Sequence, residues 1–481
     1  METTDNHRVL IMRCDTYDPD RIAGIVREGM EELGVVPSGR ILLKPNVVIA
    51  HPEVFPHAFT RKEFLEGVIR ATRDKAHGVE EIAVGERSGI TVPTRYNFRN
   101  AGYPRIIRKY GVKAYYFDEA RQVPIPIEAP ERLRDTLLVP EPVARCDFLI
   151  NLPKFKAHPW CRLTLSLKNY IGLQDDRYRL VDHNSFLEHK IADLQEVVSS
   201  KFIAVDGITA GQKMMLTPTP FPLGAIVMGT NACAVDTVGC HMVHVDPKDV
   251  IHLTYASDRG HGPKDIGQIQ VGGDFPLEQV RERTRNFEFC MVPIDEYFRR
   301  KSNLSCTVGS FPEAHSPEYC WGGCPGALQE AMHIMRGFYP DVDREMKKVR
   351  YVVGRVEGPL EMEEGERVLF AGSCTRWKGK IDGREVDIQG SYRGPHEVDG
   401  RRTESNDMIL KTVKTLWHCL RNRSSPYVHA KGCPLSVAEH LHYLSAMGGT
   451  GNPNFHPRLV IPVNLAYWQM RVHRFFNRIF G

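Results

Sequence analysis

Residues 8–46 read RVLIMRCDTYDPDRIAGIVREGMEELGVVPSGRILLKPN. Within them Arg8–Arg13 (RVLIMR) is an apolar run of strand length, Asp20–Leu33 carries apolar residues at helical spacing, and Arg40–Leu43 (RILL) is a second β-type run. A strand, a helix and a strand in this order form a βαβ unit, whose two strands lie parallel in one sheet. The pattern continues outward. Arg61–Arg73 repeats the helical spacing, and Glu81–Val84 (EIAV) and Val112–Phe117 (VKAYYF) read as strands. Asp147–Ile150 (DFLI), Lys201–Val205 (KFIAV) and Gly224–Met228 (GAIVM) extend the series. The expectation is an α/β protein whose residues 1–275 form one domain around a mostly parallel sheet.

Residues 276–318, with scattered Pro, Ser and Glu, read as a linker or covering loop. A second α/β unit is expected over 319–458, from the helix-like Gly326–Met335 and the strand-like Val349–Val353, Arg367–Ala371 and Ser425–Ala430. The tail 459–481 places Leu465, Trp468, Val472, Phe475, Phe476 and Ile479 at helical spacing, with Arg471, Arg474 and Arg478 between them. Such a helix docks on its own domain or on a second copy of the chain, which would make a homo-oligomer. Its basic amphipathic pattern also suits a membrane interface.

Sixty-three basic against 59 acidic residues leave a net charge of +4, too even for a nucleic-acid-binding face. No apolar run approaches the roughly 18 residues of a membrane span. The first residues, METTDNHRVLIMRCD, lack the pattern of a signal peptide. Twelve cysteines in such a chain are expected to stay reduced, which places the protein in the cytoplasm.

Those cysteines sort into two groups. Cys233 and Cys240 lie among apolar residues, and Cys14, Cys146, Cys161, Cys290 and Cys419 stand alone; all seven read as small core side chains. Cys320 and Cys324 form C-W-G-G-C ahead of a helix, Cys374 lies in AGSC after a strand, and Cys433 lies in GCP between a strand and a helix. Cys306 is close enough to the first pair to compete with Cys320. Thiolates at strand-to-helix loops of one sheet would meet at its carboxyl edge. Four of them suit a 4Fe–4S cluster, with adjacent glycines letting backbone N–H groups reach the sulfurs. Structural zinc is the competing occupant, but its ligands usually come in close pairs. Here 49 residues separate Cys324 from Cys374 and 58 separate Cys374 from Cys433. These motifs, over residues 318–447, resemble the small subunit of nickel–iron hydrogenases and the related cluster-carrying subunit of NADH:quinone oxidoreductase. The resemblance implies a flavodoxin-like fold holding one cluster on Cys320, Cys324, Cys374 and Cys433. The three residues between Cys320 and Cys324 depart from the family's spacing, which leaves Cys306 as the alternative to Cys320.

The first domain has a separate constellation. LKPN supplies Lys44 and Asn46 after a strand, and NLPKFKAH supplies Asn151, Lys154, Lys156 and His158. TLSLKNYIG adds Thr164, Lys168 and Asn169, KFIAVDG adds Asp206, and AVD adds Asp236. Four lysines and three amides at strand ends would neutralise and orient a small carboxylate or phosphate. Asp206 and His158 are the candidate acid–base groups. For Asp236, as for Asp206, general base, metal ligand and lysine partner stay open. There is neither a P-loop nor a dinucleotide fingerprint. These spaced motifs resemble the domain of unknown function 362 family over residues 38–275, which implies a fold and a basic pocket but no established reaction. Together the two halves suggest an iron–sulfur oxidoreductase that exchanges electrons between a small anionic substrate and a redox partner protein. The alternatives are a non-redox iron–sulfur lyase or isomerase and a non-enzymatic electron-transfer subunit.

Overall fold

The computed structural model describes residues 7–90, 92–128, 133–312, 319–392 and 408–480. The chain forms two compact units. One comprises residues 1–175, 188–290 and 463–481, and the other residues 176–187 and 291–462.

In the first unit the strands are β1 (His7–Arg13), β2 (Ser38–Pro45), β3 (His77–Glu86), β4 (Lys113–Tyr116), β5 (Gln122–Pro126), β6 (Thr136–Pro140) and β7 (Phe148–Leu152). After them come β8 (Lys154–His158), β9 (Arg162–Thr164), β10 (Phe202–Gln212), β11 (Thr219–Phe221), β12 (Ala225–Gly229) and β13 (Ile269–Gly272). The main sheet runs β13-β1-β12-β10-β7-β2-β3-β4, with β8, β9 and β11 attached beside β10. From β10 to β4 every neighbour is parallel. β12 alone runs antiparallel to both its neighbours, β1 and β10. The unit is therefore α/β with a mostly parallel sheet, as the opening strand–helix–strand reading implies.

The helix Pro19–Glu32 is capped by the Asp18 carboxylate on the Asp20 N–H and has proline in its first turn, a favoured start. It buries Ile22, Val26 and Met30, and the helix Lys62–Lys75 buries Phe64, Leu65, Val68 and Ile69, in one core with Leu10, Leu43, Ile150 and Met228. The two helices meet at Gly67, where a Cβ would come within 2.5 Å of Ile22 Cγ2.

In the second unit β14 (Leu304–Val308), β15 (Val349–Arg355), β16 (Arg367–Ile381) and β18 (Tyr427–Ala430) are parallel in chain order, and β17 (Arg384–Ile388) pairs antiparallel with the far half of β16. The stretch expected as a covering loop thus contains the edge strand β14 and the helix Leu277–Arg283, while 313–318 lie outside the described residues. Short apolar runs such as LSCTV are too brief to show a period, so only pairing with β15 fixes them as strand. β16 also passes straight through Cys374, where a strand end was expected. Gly372, at φ +92°, sits at an irregularity in the ladder: β18 pairs with β16 up to Ala371, β15 pairs up to Ala371 and again at Arg376 after a register shift, and β17 pairs from Trp377 onward.

Candidate functional site

β2 and β7 are adjacent and parallel, with Lys44 opposite Asn151 near their carboxyl ends. Lys44 is wholly buried and donates to Glu86 Oε2 at 2.9 Å and to the Asn169 carbonyl at 2.7 Å. Glu86 is the last residue of β3, one strand over. Gly172 covers this pair. A Cβ there would stand 2.1 Å from Glu86 Oε1 and 2.9 Å from Lys44 Nζ, so only glycine fits. Beside the pair an amide relay runs from Asn46 Nδ2 to Asn169 Oδ1 (3.0 Å), from Asn169 Nδ2 to Asn151 Oδ1 (2.7 Å), and from Asn151 Nδ2 to the Ser166 carbonyl (3.0 Å). All three predicted amides therefore meet.

A second centre forms where β8 lies against β10, with Lys154 opposite Asp206. Lys154 donates to Asp206 Oδ2 at 3.0 Å and to the Tyr17 hydroxyl at 2.8 Å. Tyr17 in turn donates to Asp206 Oδ1 at 2.8 Å, and the Arg61 N–H reaches Oδ2 at 3.0 Å. Burial lowers the Lys154 ammonium below its ordinary value despite the opposing pull of Asp206. Burial and the Asp206 carboxylate together push the Tyr17 hydroxyl well above its own. The two-residue period of β8 puts Lys154, Lys156 and His158 on one face, all three buried. Lys156 donates to the carbonyls of Ala58 (2.6 Å) and Met215 (3.3 Å). His158 Nδ1 accepts from the N–H groups of Trp160 (3.4 Å) and Cys161 (3.2 Å), so in the neutral ring the proton sits on Nε2.

Several of these positions differ from expectation. Lys44, Lys154 and Lys156 lie within strands, not in the loops after them, and Asp206 lies inside β10, not at its end. A lysine can extend a buried strand when a carboxylate or carbonyl meets its ammonium, and Glu86, Asp206 and the carbonyls of Ala58 and Met215 do so here. Lys168 stands apart, in the short helix Ser166–Asn169, where its charge acts on Glu188, Cys161 and His252. Burial raises Glu188 to about 7, with Lys168 pulling the other way. Asp236 is no partner to the lysines among these contacts. Its two oxygens accept the Ser166 and Leu167 N–H groups at 2.7 and 3.0 Å, holding the start of the helix that carries Lys168 and Asn169. Sequence reasoning missed Tyr17 and Glu86. For Glu86 a signal existed, an acidic residue closing the apolar run EIAVG.

In the second unit Cys324 opens the helix Cys324–Phe338, and burial pushes its thiol well up. The neighbouring charges of Cys374, Cys433 and Cys320 push in the same direction, while the Leu435 N–H, 3.4 Å from the sulfur, pulls back. Burial and Cys433 raise Cys374 to about 12. The sulfurs face glycine: a Cβ at Gly372 would lie 3.2 Å from Cys324 Sγ and 3.7 Å from Cys374 Sγ, and one at Gly323 would lie 2.8 Å from Cys320 Sγ. Asn184 Nδ2 donates to Cys433 Sγ at 3.3 Å. Cys306 instead sits inside β14, opposite Tyr351. Among the described residues no three His, Cys, Asp or Glu side chains are set to hold a single metal ion. The helix after Cys433 starts at Val437 with a Ser436–Glu439 capping box.

The fold and the first centre define a class: an α/β protein with buried lysine–carboxylate pairs and an amide relay at the carboxyl ends of a mostly parallel sheet. Residues 41–241, which contain every one of those groups except Tyr17, match the family described as Domain of unknown function (DUF362). Over 290 residues the chain is 22% identical to the thylakoid-associated protein sll1697 of Synechocystis sp., spanning 57% of this chain and 84% of that one. Among solved structures it is similar to the lactate racemase apoprotein of Thermoanaerobacterium thermosaccharolyticum (8% identity, 72% of this chain and 69% of that one, TM-score 0.31). It is also similar to a protein of Thermotoga maritima (10% identity, 71% and 89%, TM-score 0.31). Both structural likenesses are too slight to carry an argument.

Proposed function

We propose that this chain is an oxidoreductase in which Cys320, Cys324, Cys374 and Cys433 hold a 4Fe–4S cluster. In this reading the first unit binds a small carboxylate or phosphate, and a redox partner protein supplies or removes the electrons. The observation that carries the reading is the meeting of four thiols, drawn from three separate stretches of chain, around Cys324. The resemblance of the same motifs to the hydrogenase small subunit supports it. The residues also fit the group. Four neighbouring thiols, Cys320 and Cys324 buried and Cys374 and Cys433 half-buried, cannot all ionise beside one another without a cationic centre, glycines leave room at three sulfurs, and two N–H donors already point at sulfur. Each thiolate of such a cluster binds a different iron, so the sulfurs need not converge as they would on one zinc ion.

When bound, the cluster takes up and releases single electrons. The chain's own residues do the rest. Cys324 lies in the first turn of its helix, where the dipole favours a thiolate. In the first unit the buried ammonium and amide groups are the donors for an anion, with Glu86 and Asp206 offsetting part of their charge. Lys154, bonded to Asp206 Oδ2 and to Tyr17, is the group that gives a proton to the substrate as its burial-lowered ammonium or takes one as the neutral amine. His158 Nε2–H is a further donor. Twelve free thiols suit a reducing compartment, and the cytoplasm is the assignment we carry forward.

Protein purified without oxygen should be brown and contain about four iron and four sulfide per chain. Cys374→Ala or Cys433→Ala should remove the colour, and Cys233→Ala should leave it. Stoichiometric zinc without sulfide would overturn the proposal.

A further inference from the structure

Ten of the thirteen large apolar side chains exposed among the described residues lie on two helices. Six belong to the C-terminal helix Pro457–Phe480: Ile461, Leu465, Trp468, Val472, Phe475 and Phe476. Four belong to Met408–Arg421: Leu410, Val413, Trp417 and Leu420. Spacings of three and four residues put each set on one stripe of its helix.

The C-terminal helix is not loose. Ala466, Tyr467 and Met470 are buried, Arg474 donates to the Asp118 carbonyl, and Asn477 donates to the Glu119 carbonyl at 3.1 Å. At 100° per residue these five contacts centre about half a turn away from the exposed stripe. One face therefore docks on the first unit and the side chains of the opposite face are exposed, Trp468 by 57%. The side chains of Arg478 and Ile479 lie outside the described residues.

Charge decides what covers the exposed face. The segment 457–480 has no acidic residue and, besides Arg474 on the docked face, three arginines, Arg458, Arg471 and Arg478. Met408–Arg421 has Lys411, Lys414 and Arg421, and again no acidic residue. Two copies packed stripe to stripe would set cations against cations. An anionic lipid surface complements both features: aromatic and aliphatic side chains enter the boundary between headgroups and acyl chains, and arginines meet phosphates. Arg471 is placed for this, its guanidinium 5.8 Å from the ring centroids of both Tyr467 and Trp468. No helix among the described residues is long and apolar enough to cross the bilayer, so the contact is with its surface.

We infer that the exposed stripe of the C-terminal helix seats this protein on the surface of an anionic lipid bilayer, with Met408–Arg421 presenting a second surface of the same kind. The inference is independent of the cluster and of the anionic substrate.

The test uses the full chain with vesicles of phosphatidylcholine alone and of phosphatidylcholine mixed with phosphatidylglycerol, read by co-sedimentation and tryptophan emission. Binding to the mixed vesicles should be tighter by about tenfold or more, fall as salt rises, and shift the emission to the blue. The double variant Trp468→Glu, Phe475→Glu should lose about tenfold or more of that binding with an unchanged circular-dichroism spectrum, since both side chains point away from the docked face. Equal binding by wild type and variant, or none to the mixed vesicles, overturns the inference. A dimer in sedimentation velocity that the double variant dissociates, without vesicle binding, assigns the stripe to a second copy and also overturns it.

Discussion

Replacing Lys44 by Met breaks one of the two fully buried lysine–carboxylate pairs of the first unit, Lys44–Glu86, the other being Lys154–Asp206. Lys44 and Glu86 are 0% and 1% exposed and 2.9 Å apart. Without the ammonium, Glu86 Oε2 loses that donor, and the Arg87 N–H remains on Oε1. A buried pair broken on one side costs about 3–5 kcal/mol, because the surviving charge stays out of water. Glu86→Gln keeps the side chain's shape and removes its charge. The double variant Lys44→Met, Glu86→Gln should therefore recover most of the loss, and the coupling energy should exceed about 1 kcal/mol. The assay is thermal unfolding followed by circular dichroism, taking the transition that moves with this unit. For a unit of this size each kcal/mol shifts the midpoint by about 2–4 °C, so Lys44→Met should melt roughly 10 °C lower. If Lys44→Met costs under about 1 kcal/mol and its effect adds to that of Glu86→Gln, the pair is not what allows the lysine to be buried.

Two further outcomes follow from the same geometry. Burial lifts Glu188 to about 7 from an ordinary value near 4.5, so the folded chain holds a proton that the unfolded chain has already released. Stability is then full below about pH 4.5, falls as pH rises through the window to about 7, and levels off above it, a change of about 3 kcal/mol. Glu188→Gln should flatten that slope, and identical midpoints for wild type and variant at both pH 5 and pH 8 would sink the assignment. Gly372→Ala adds a Cβ at φ +92°, 3.2 Å from Cys324 Sγ, and should cost about 1–3 kcal/mol and, on the proposed cluster, lower the iron content of anaerobically purified protein. Full iron content in that variant would show that the left-handed glycine is not needed at the sulfurs.

The α/β class was legible because its signals are local. RVLIMR, RILL, EIAV and GAIVM each announce a strand by composition, and the helices between them by period. The reversed direction of β12 was not legible, since GAIVM reads the same in a parallel or an antiparallel strand. Nor did chain order show that residues 176–187 belong to the second unit, where Asn184 donates to Cys433, 249 positions along the chain. The continuation of β16 past Cys374 was hidden for another reason. AGSC looks like a strand end, and the left-handed Gly372 that suggests one instead sits where the strand shifts register and changes partners.

The lysines illustrate a deeper limit. Read one at a time, Lys44, Lys154 and Lys156 belong in solvent, and a reader who values their charge puts them in loops facing a ligand. Whether a lysine may enter a strand depends on what stands across from it, and those groups are remote: Glu86 is 42 positions from Lys44, and Asp206 is 52 from Lys154. Pairing also changes their chemistry. A lysine in a loop is an obligate cation for an anion to find. Lys154, desolvated and shared between Asp206 and Tyr17, has an ammonium that gives up its proton more readily. Burial thus weakens the case for a purely electrostatic anion trap and strengthens the case for proton transfer at that atom. If the proposed oxidoreductase reaction runs here, its rate should therefore follow the protonation of Lys154 more closely than the ionic strength of the solution.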